Sequence, residues 1–139
     1  MVVTDFKRDD IAELLLRHPD FDPTLPTAFV YEGCSMYFDR EENRTLLRAV
    51  SKLMQHPFSR VWCDLVKENV VDGTTNHPEI VKFLDGMEEL GEKFIFGCDA
   101  PQEFLAECGF SSTTNVLAQE YLGVRDETFS TYQFSVSAK

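Results

Sequence analysis

Glu32 closes an apolar run, Phe29-Val30-Tyr31-Glu32-Gly33-Cys34. A carboxylate in such a place must be paired or lie at the end of a strand. Taken alone, the residue fits structural pairing and ligand contact equally well. Asp64, in Val61-Trp62-Cys63-Asp64-Leu65-Val66, is a second acid of this kind. It reads as a strand-end acid, with a helix cap or a salt bridge the stronger alternatives. His18, His56 and His77 each precede a proline and read as helix-boundary residues. None has a visible Ser or Cys partner, so a nucleophilic triad has little support. The four cysteines form no CxxC pair and have no His at ligand spacing, so no metal site is expected. Cys34, Cys63 and Cys98 lie in apolar runs and read as buried or half-buried thiols of a reducing compartment.

These residues need a scaffold. Asp9 is placed to cap a short helix, Asp10 to Arg17, with Ile11, Leu14 and Leu15 on one face. Val2-Val3 reads as the tail of a strand, and Thr27 to Tyr31 as a buried strand. Asp39 followed by Glu42 is a capping box, and Leu46, Leu47, Val50, Leu53 and Met54 form a helical stripe. Arg60 to Val66 reads as a second buried strand. Pro78 opens a long helix whose expected buried face is Ile80, Phe83, Leu84, Met87 and Leu90, with Gly91 at its end. Phe94 to Phe96 is a short strand or an extended loop. Pro101 starts another helix with Phe104 and Leu105 inward, stopped by Gly109. Phe110 to Thr114 reads as a strand, Val116 to Leu122 as a helical turn, and Thr128 to Ser137 as a final strand. In that strand the face bearing Tyr132, Phe134 and Val136 is the more apolar.

Alternation of strand, helix and strand implies an α/β fold with parallel strands, helices on the faces and right-handed crossovers. The last two strands are close enough in sequence for an antiparallel pair at one edge. Ligands of such open sheets bind beyond the carboxyl ends of the strands, where Glu32, Gly33 and Asp64 lie.

The chain has 139 residues, 43% hydrophobic and 12% aromatic, enough for the core of one domain. Its net charge of -11 disfavours binding to nucleic acid or anionic membranes. No apolar leader or membrane-length run is present, so the cytoplasm is the expected location.

The run Pro26-Thr27-Ala28-Phe29-Val30-Tyr31-Glu32-Gly33-Cys34-Ser35-Met36-Tyr37-Phe38, with the acidic helix start after it, resembles the leucine carboxyl methyltransferase family. Arg60 to Val66 and the stretch Phe96-Gly97-Cys98-Asp99-Ala100-Pro101 with Phe104 to Phe110 extend the likeness from about Asp5 to Val136. The resemblance implies the C-terminal half of a Rossmann-like, S-adenosylmethionine (SAM)-dependent methyltransferase. The family's glycine-rich loop and acidic ribose-binding residue are absent from these residues, so the match begins about midway through the fold. A truncated gene, an expressed fragment or one half of a split protein would each look this way.

On this resemblance Asp5 accepts from the adenine amine and Phe6 packs on its ring. Glu32, with Gly33, meets the amino-acid part of SAM. Tyr37 and Asp64 stand on the side of the methyl acceptor, a carboxyl or hydroxyl of a small molecule or a protein terminus. Without the resemblance, Asp5 and Phe6 are ordinary loop residues, and Tyr37 is more readily core than pocket. The isolated chain is expected to bind SAM weakly or not at all. A non-catalytic remnant or interaction domain is the alternative, with a complementing N-terminal half or a second copy as partner.

Overall fold

The computed structural model describes residues 4–139, Glu127 by its backbone. The Val2-Val3 strand tail lies outside the described residues. The chain runs α1 (Ile11–Leu16), β1 (Ala28–Tyr31), a 3-10 turn (Ser35–Tyr37), α2 (Arg40–Leu53), β2 (Arg60–Val66), α3 (Glu68–Val71) and α4 (Pro78–Glu89). It continues through α5 (Pro101–Glu107), β3 (Ser112–Leu117), α6 (Ala118–Leu122), a second 3-10 turn (Glu127–Ser130) and β4 (Tyr132–Ala138). The strands form one sheet in the order β1-β2-β4-β3. β1 and β2 are parallel, as the helical crossover between them requires, and β4 pairs antiparallel with both β2 and β3. β4 therefore lies inside the sheet and β3 at its edge.

Local signals account for the helices. Asp39 accepts from the Glu42 amide and Glu42 accepts from the Asp39 amide, completing the capping box of α2. The whole expected stripe of α2, Leu46, Leu47, Val50, Leu53 and Met54, is buried. Leu46, Leu47, Val50 and Met54 pack with Val61, Cys63 and Leu65 of β2 and with Phe104 and Leu105 of α5 in the main core. At α1 the cap is Asp10 rather than Asp9, since its carboxylate accepts from the Ala12 and Glu13 amides. Asp9 instead accepts from the Asp5 amide at 2.7 Å.

Two faces are covered in ways that periodicity does not specify. On α4 only Ile80 is buried, while Phe83 is 54% and Leu90 76% exposed. Leu84 and Met87 are half-buried against the cluster of Ile80 and Phe94, so the stripe is covered on one side and open at Phe83 and Leu90. On β4 the polar face is the buried one: Gln133, Ser135 and Ser137 lie under the helices. They are satisfied by a ladder across to β3, Asn115 to Gln133 at 3.0 Å, Ser135 to Asn115 at 2.7 Å, and Thr113 with Ser137 at 2.7 Å. Buried polar groups paired in this way carry no desolvation deficit. The apolar residues of β4 line the opposite face, where Phe134 stacks on Trp62.

Residues 94–96 form an extended loop, not a strand, with the Ile95 amide donating to the Met36 carbonyl at 2.8 Å. Gly97 follows, packed against the end of β2. A Cβ there would lie 2.6 Å from the Glu68 Cα and 2.7 Å from the Lys67 carbonyl oxygen. Backbone must move to admit it, so Gly97→Ala is expected to destabilise the fold by about 1–3 kcal/mol. A urea midpoint unchanged by the substitution would contradict this close approach.

Candidate functional site

The carboxyl ends of β1 and β2 meet at the turn of Glu32 and Gly33. Gly33 has φ of 63°, in the left-handed region that glycine enters without strain. Its amide donates to both carboxylate oxygens of Asp64, at 3.0 and 3.1 Å. The Tyr132 hydroxyl donates to the same carboxylate. The Ser35 hydroxyl donates to the Asp64 carbonyl at 2.8 Å. Asn43, fully buried on α2, donates to the carbonyls of Ser35 and Phe38 at 2.9 Å and accepts from the Tyr31 hydroxyl at 2.9 Å. Side chains from β2, β4 and α2 thus fix the segment from Gly33 to Phe38. A buried polar network of this kind is rigid only while every member is paired.

Within this fixed turn Glu32 is exposed, and among the described residues it makes no hydrogen bond or ion pair. The fold offers the pairing alternative no partner. Burial first, then the hydrogen bond and charge of Asp64, then the charge of Glu32, hold the Tyr132 hydroxyl well above its ordinary range. Tyr132 is therefore a donor at neutral pH and not a base.

Next to the turn lies an apolar cavity of about 390 Å³, between the first 3-10 turn, the end of β2 and α4. Gly33, Tyr37, Val66, Ile80, Phe94 and Tyr132 are among its walls. Tyr37 belongs both to this wall and to the small apolar cluster of Met36, Val66, Val70, Ile80 and Phe94. Its ring meets Phe94 edge to face at 5.2 Å. Burial, then Glu92 and Cys34, raise its hydroxyl above the usual tyrosine range. Asp64 stands apart from the acceptor side where it was expected. Only 2% exposed, it is not among the cavity walls and acts through Gly33 and Tyr132, which are.

Asp5 and Phe6 are placed elsewhere. The Asp5 carboxylate accepts from the Lys7 amide at 3.0 Å and pairs with Arg8 at 3.4 Å, closing a local turn. Phe6 packs edge to face on Phe38 at 6.1 Å and lines a separate cavity against α2. The fold thus gathers Glu32, Gly33 and Tyr37 at one place and joins Phe6 to them only through Phe38. The sequence reading missed Tyr132 and Asn43. Asn43 was detectable, because it continues the phase of Leu46, Leu47 and Val50 and is the polar member of that stripe. Among the described residues no three His, Cys, Asp or Glu side chains are grouped as metal ligands.

The leucine carboxyl methyltransferase family model matches residues 1–51, which include β1, the Glu32–Gly33 turn and most of α2. No curated protein gives a significant match. A DUF574 family protein from Streptomyces avermitilis shares the fold with a TM-score of 0.66 at 15% identity, over 99% of this chain and 54% of that one. A candidate methyltransferase from Thermobifida fusca does so with a TM-score of 0.66 at 17% identity, over 98% and 52%. Human N-acetylserotonin methyltransferase, solved with SAM, matches with a TM-score of 0.52 at 12% identity, over 99% and 33%. The chain shares the Rossmann-like α/β fold of these solved proteins and spans about half the length of the first two.

Proposed function

We propose that the chain supplies the C-terminal half of a SAM-dependent O-methyltransferase that transfers methyl to a carboxyl or hydroxyl acceptor. One observation carries this reading: Glu32 is exposed and unpartnered on a locked turn, at the carboxyl ends of parallel strands and beside an apolar cavity. SAM, when bound, supplies an electrophilic methyl group on a sulfonium. Glu32 would accept hydrogen bonds from the amino group of its amino-acid part and favour the positive charge nearby. Above Gly33 nothing lies within 4 Å of where a Cβ would stand, which leaves room for close approach. Tyr37 and the cavity walls would orient the acceptor and exclude water. A carboxylate acceptor needs no base, whereas a hydroxyl must shed a proton.

The chain holds no glycine-rich cofactor loop, so by itself it is expected to be inactive and to bind SAM more weakly than micromolar. Pairing with another chain is the second reading, favoured by the open edge of β1. Four free thiols, three of them buried, fit the reducing cytoplasm. Among the described residues no helix is long and apolar enough to cross a membrane.

The test joins the chain to a glycine-loop segment of the family and measures SAM affinity by calorimetry. Glu32→Gln is expected to weaken binding by about ten- to a hundredfold, the loss of one charge-assisted hydrogen bond. An equal dissociation constant for both forms would remove Glu32 from the cofactor site.

A further inference from the structure

The cavity beside Gly33 carries a charge signature that narrows the acceptor. Met36, Tyr37, Val66, Ile80, Phe83 and Phe94 form its apolar wall. Among the residues lining it there is no Lys, Arg or His, and Glu79 is the one charged side chain. Just behind the wall, the buried Asp64 carboxylate holds the Tyr132 hydroxyl. Glu32 and Glu92 add to the negative potential, the first at Tyr132 and the second at Tyr37. A carboxylate entering this space would lose water, meet like charge and find no cation.

The rings point to shape as well as charge. Tyr37 and Phe83 both meet Phe94 edge to face, at 5.2 and 5.9 Å. A planar ring extends such a cluster in the geometry aromatic pairs prefer. Phe83 is 54% exposed although it lines the cavity, so a ligand seated there would cover apolar surface now facing water. The cavity volume of about 390 Å³ suits a small ring system and is within the range of ordinary ligand sites.

We propose that this cavity is an acceptor subsite for an uncharged aromatic hydroxyl compound, and that it rejects aromatic carboxylates. The proposal rests on the methyltransferase reading only for the word acceptor. The binding preference itself follows from the walls.

The test titrates the isotope-labelled chain with 2-naphthol and with 2-naphthoate at neutral pH, two probes that share a ring system and differ in charge. 2-Naphthol is expected to shift the resonances of Ile80, Phe83 and Phe94, with a dissociation constant at least about tenfold lower than that of 2-naphthoate. In Phe83→Lys, at an exposed position that tolerates the change, the order of the two probes is expected to reverse. Equal or tighter binding of 2-naphthoate to the unaltered chain would overturn the proposal. So would naphthol shifts located elsewhere, or none. A parallel titration of the chain joined to the family's glycine-loop segment with S-adenosylhomocysteine separates this from the function proposed above. Naphthol binding without cofactor shifts at Glu32 would keep the subsite and sink the methyltransferase reading, and the reverse result would sink the subsite alone.

Discussion

Asp64→Ala is expected to cost about 2–5 kcal/mol of folding stability, about 1–3 kcal/mol for each of the two donors left without its charged acceptor. The Gly33 amide and the Tyr132 hydroxyl both lose their acceptor, a carboxylate that is itself only 2% exposed. Domains of this size are stable by only about 5–15 kcal/mol, so the loss is a large share of the whole. Asp64→Asn keeps an acceptor for Gly33 but sets an amide where the Tyr132 hydroxyl donates, and should cost about 1–3 kcal/mol. Urea unfolding followed by tryptophan fluorescence measures both, with Trp62 next to Asp64 as the reporter. An Asp64→Ala midpoint within error of the parent would mean that the network does not hold the turn.

The second large effect concerns association. β1 pairs only with β2 among the described residues, so the other edge of β1 offers unpaired amides and carbonyls. α2 and α5 cover one face of the sheet, the face of Val61, Cys63 and Leu65. On the opposite face Val30 is 67% and Val136 42% exposed, alongside the half-buried pair of Trp62 and Phe134. An apolar face next to a free edge is a template for another strand or another layer. The chain is expected to self-associate through it at micromolar concentration or to bind a complementing half. The net charge of -11 opposes this, but at physiological salt the repulsion is screened beyond about 8 Å. Val30→Lys, which puts a cation on the free edge strand, should shift the sedimentation profile toward monomer. A compact monomer whose Ala28–Tyr31 amides all exchange slowly would contradict the prediction.

What the sequence disclosed, and what it did not, divides along the range of the interactions. The capping box of α2 and the limits of β2 rest on neighbours a few residues apart, and both were legible. The meeting of Asp64 with Tyr132, across 68 positions, depends on β4 entering the sheet beside β2, and no local signal carries that. Alternation in β4 was visible, but it could not say which side the helices would cover. The buried side turned out to be the polar one because Asn115 and Thr113 on β3 supply its partners. In α4 the apolar period was real, and Ile80, Leu84 and Met87 do face the core, yet a period does not say how far a face is covered, and Phe83 and Leu90 stay open. Glu32 was the clearest chemical signal in the chain. The structure sharpened it by giving the side chain no partner among the described residues and by locking the turn beneath it.

The proposed function requires that the end of β1 be where a methyl donor's product sits. Titration of the labelled chain, joined to a glycine-loop segment of the family, with S-adenosylhomocysteine, read by amide chemical shifts, tests this without requiring activity. Binding is predicted, with shifts centred on Glu32, Gly33 and Tyr37 that weaken in Glu32→Gln. Saturating shifts confined to the cavity between Phe6 and α2, or no shift at Glu32 and Gly33 at any attainable concentration, would contradict it.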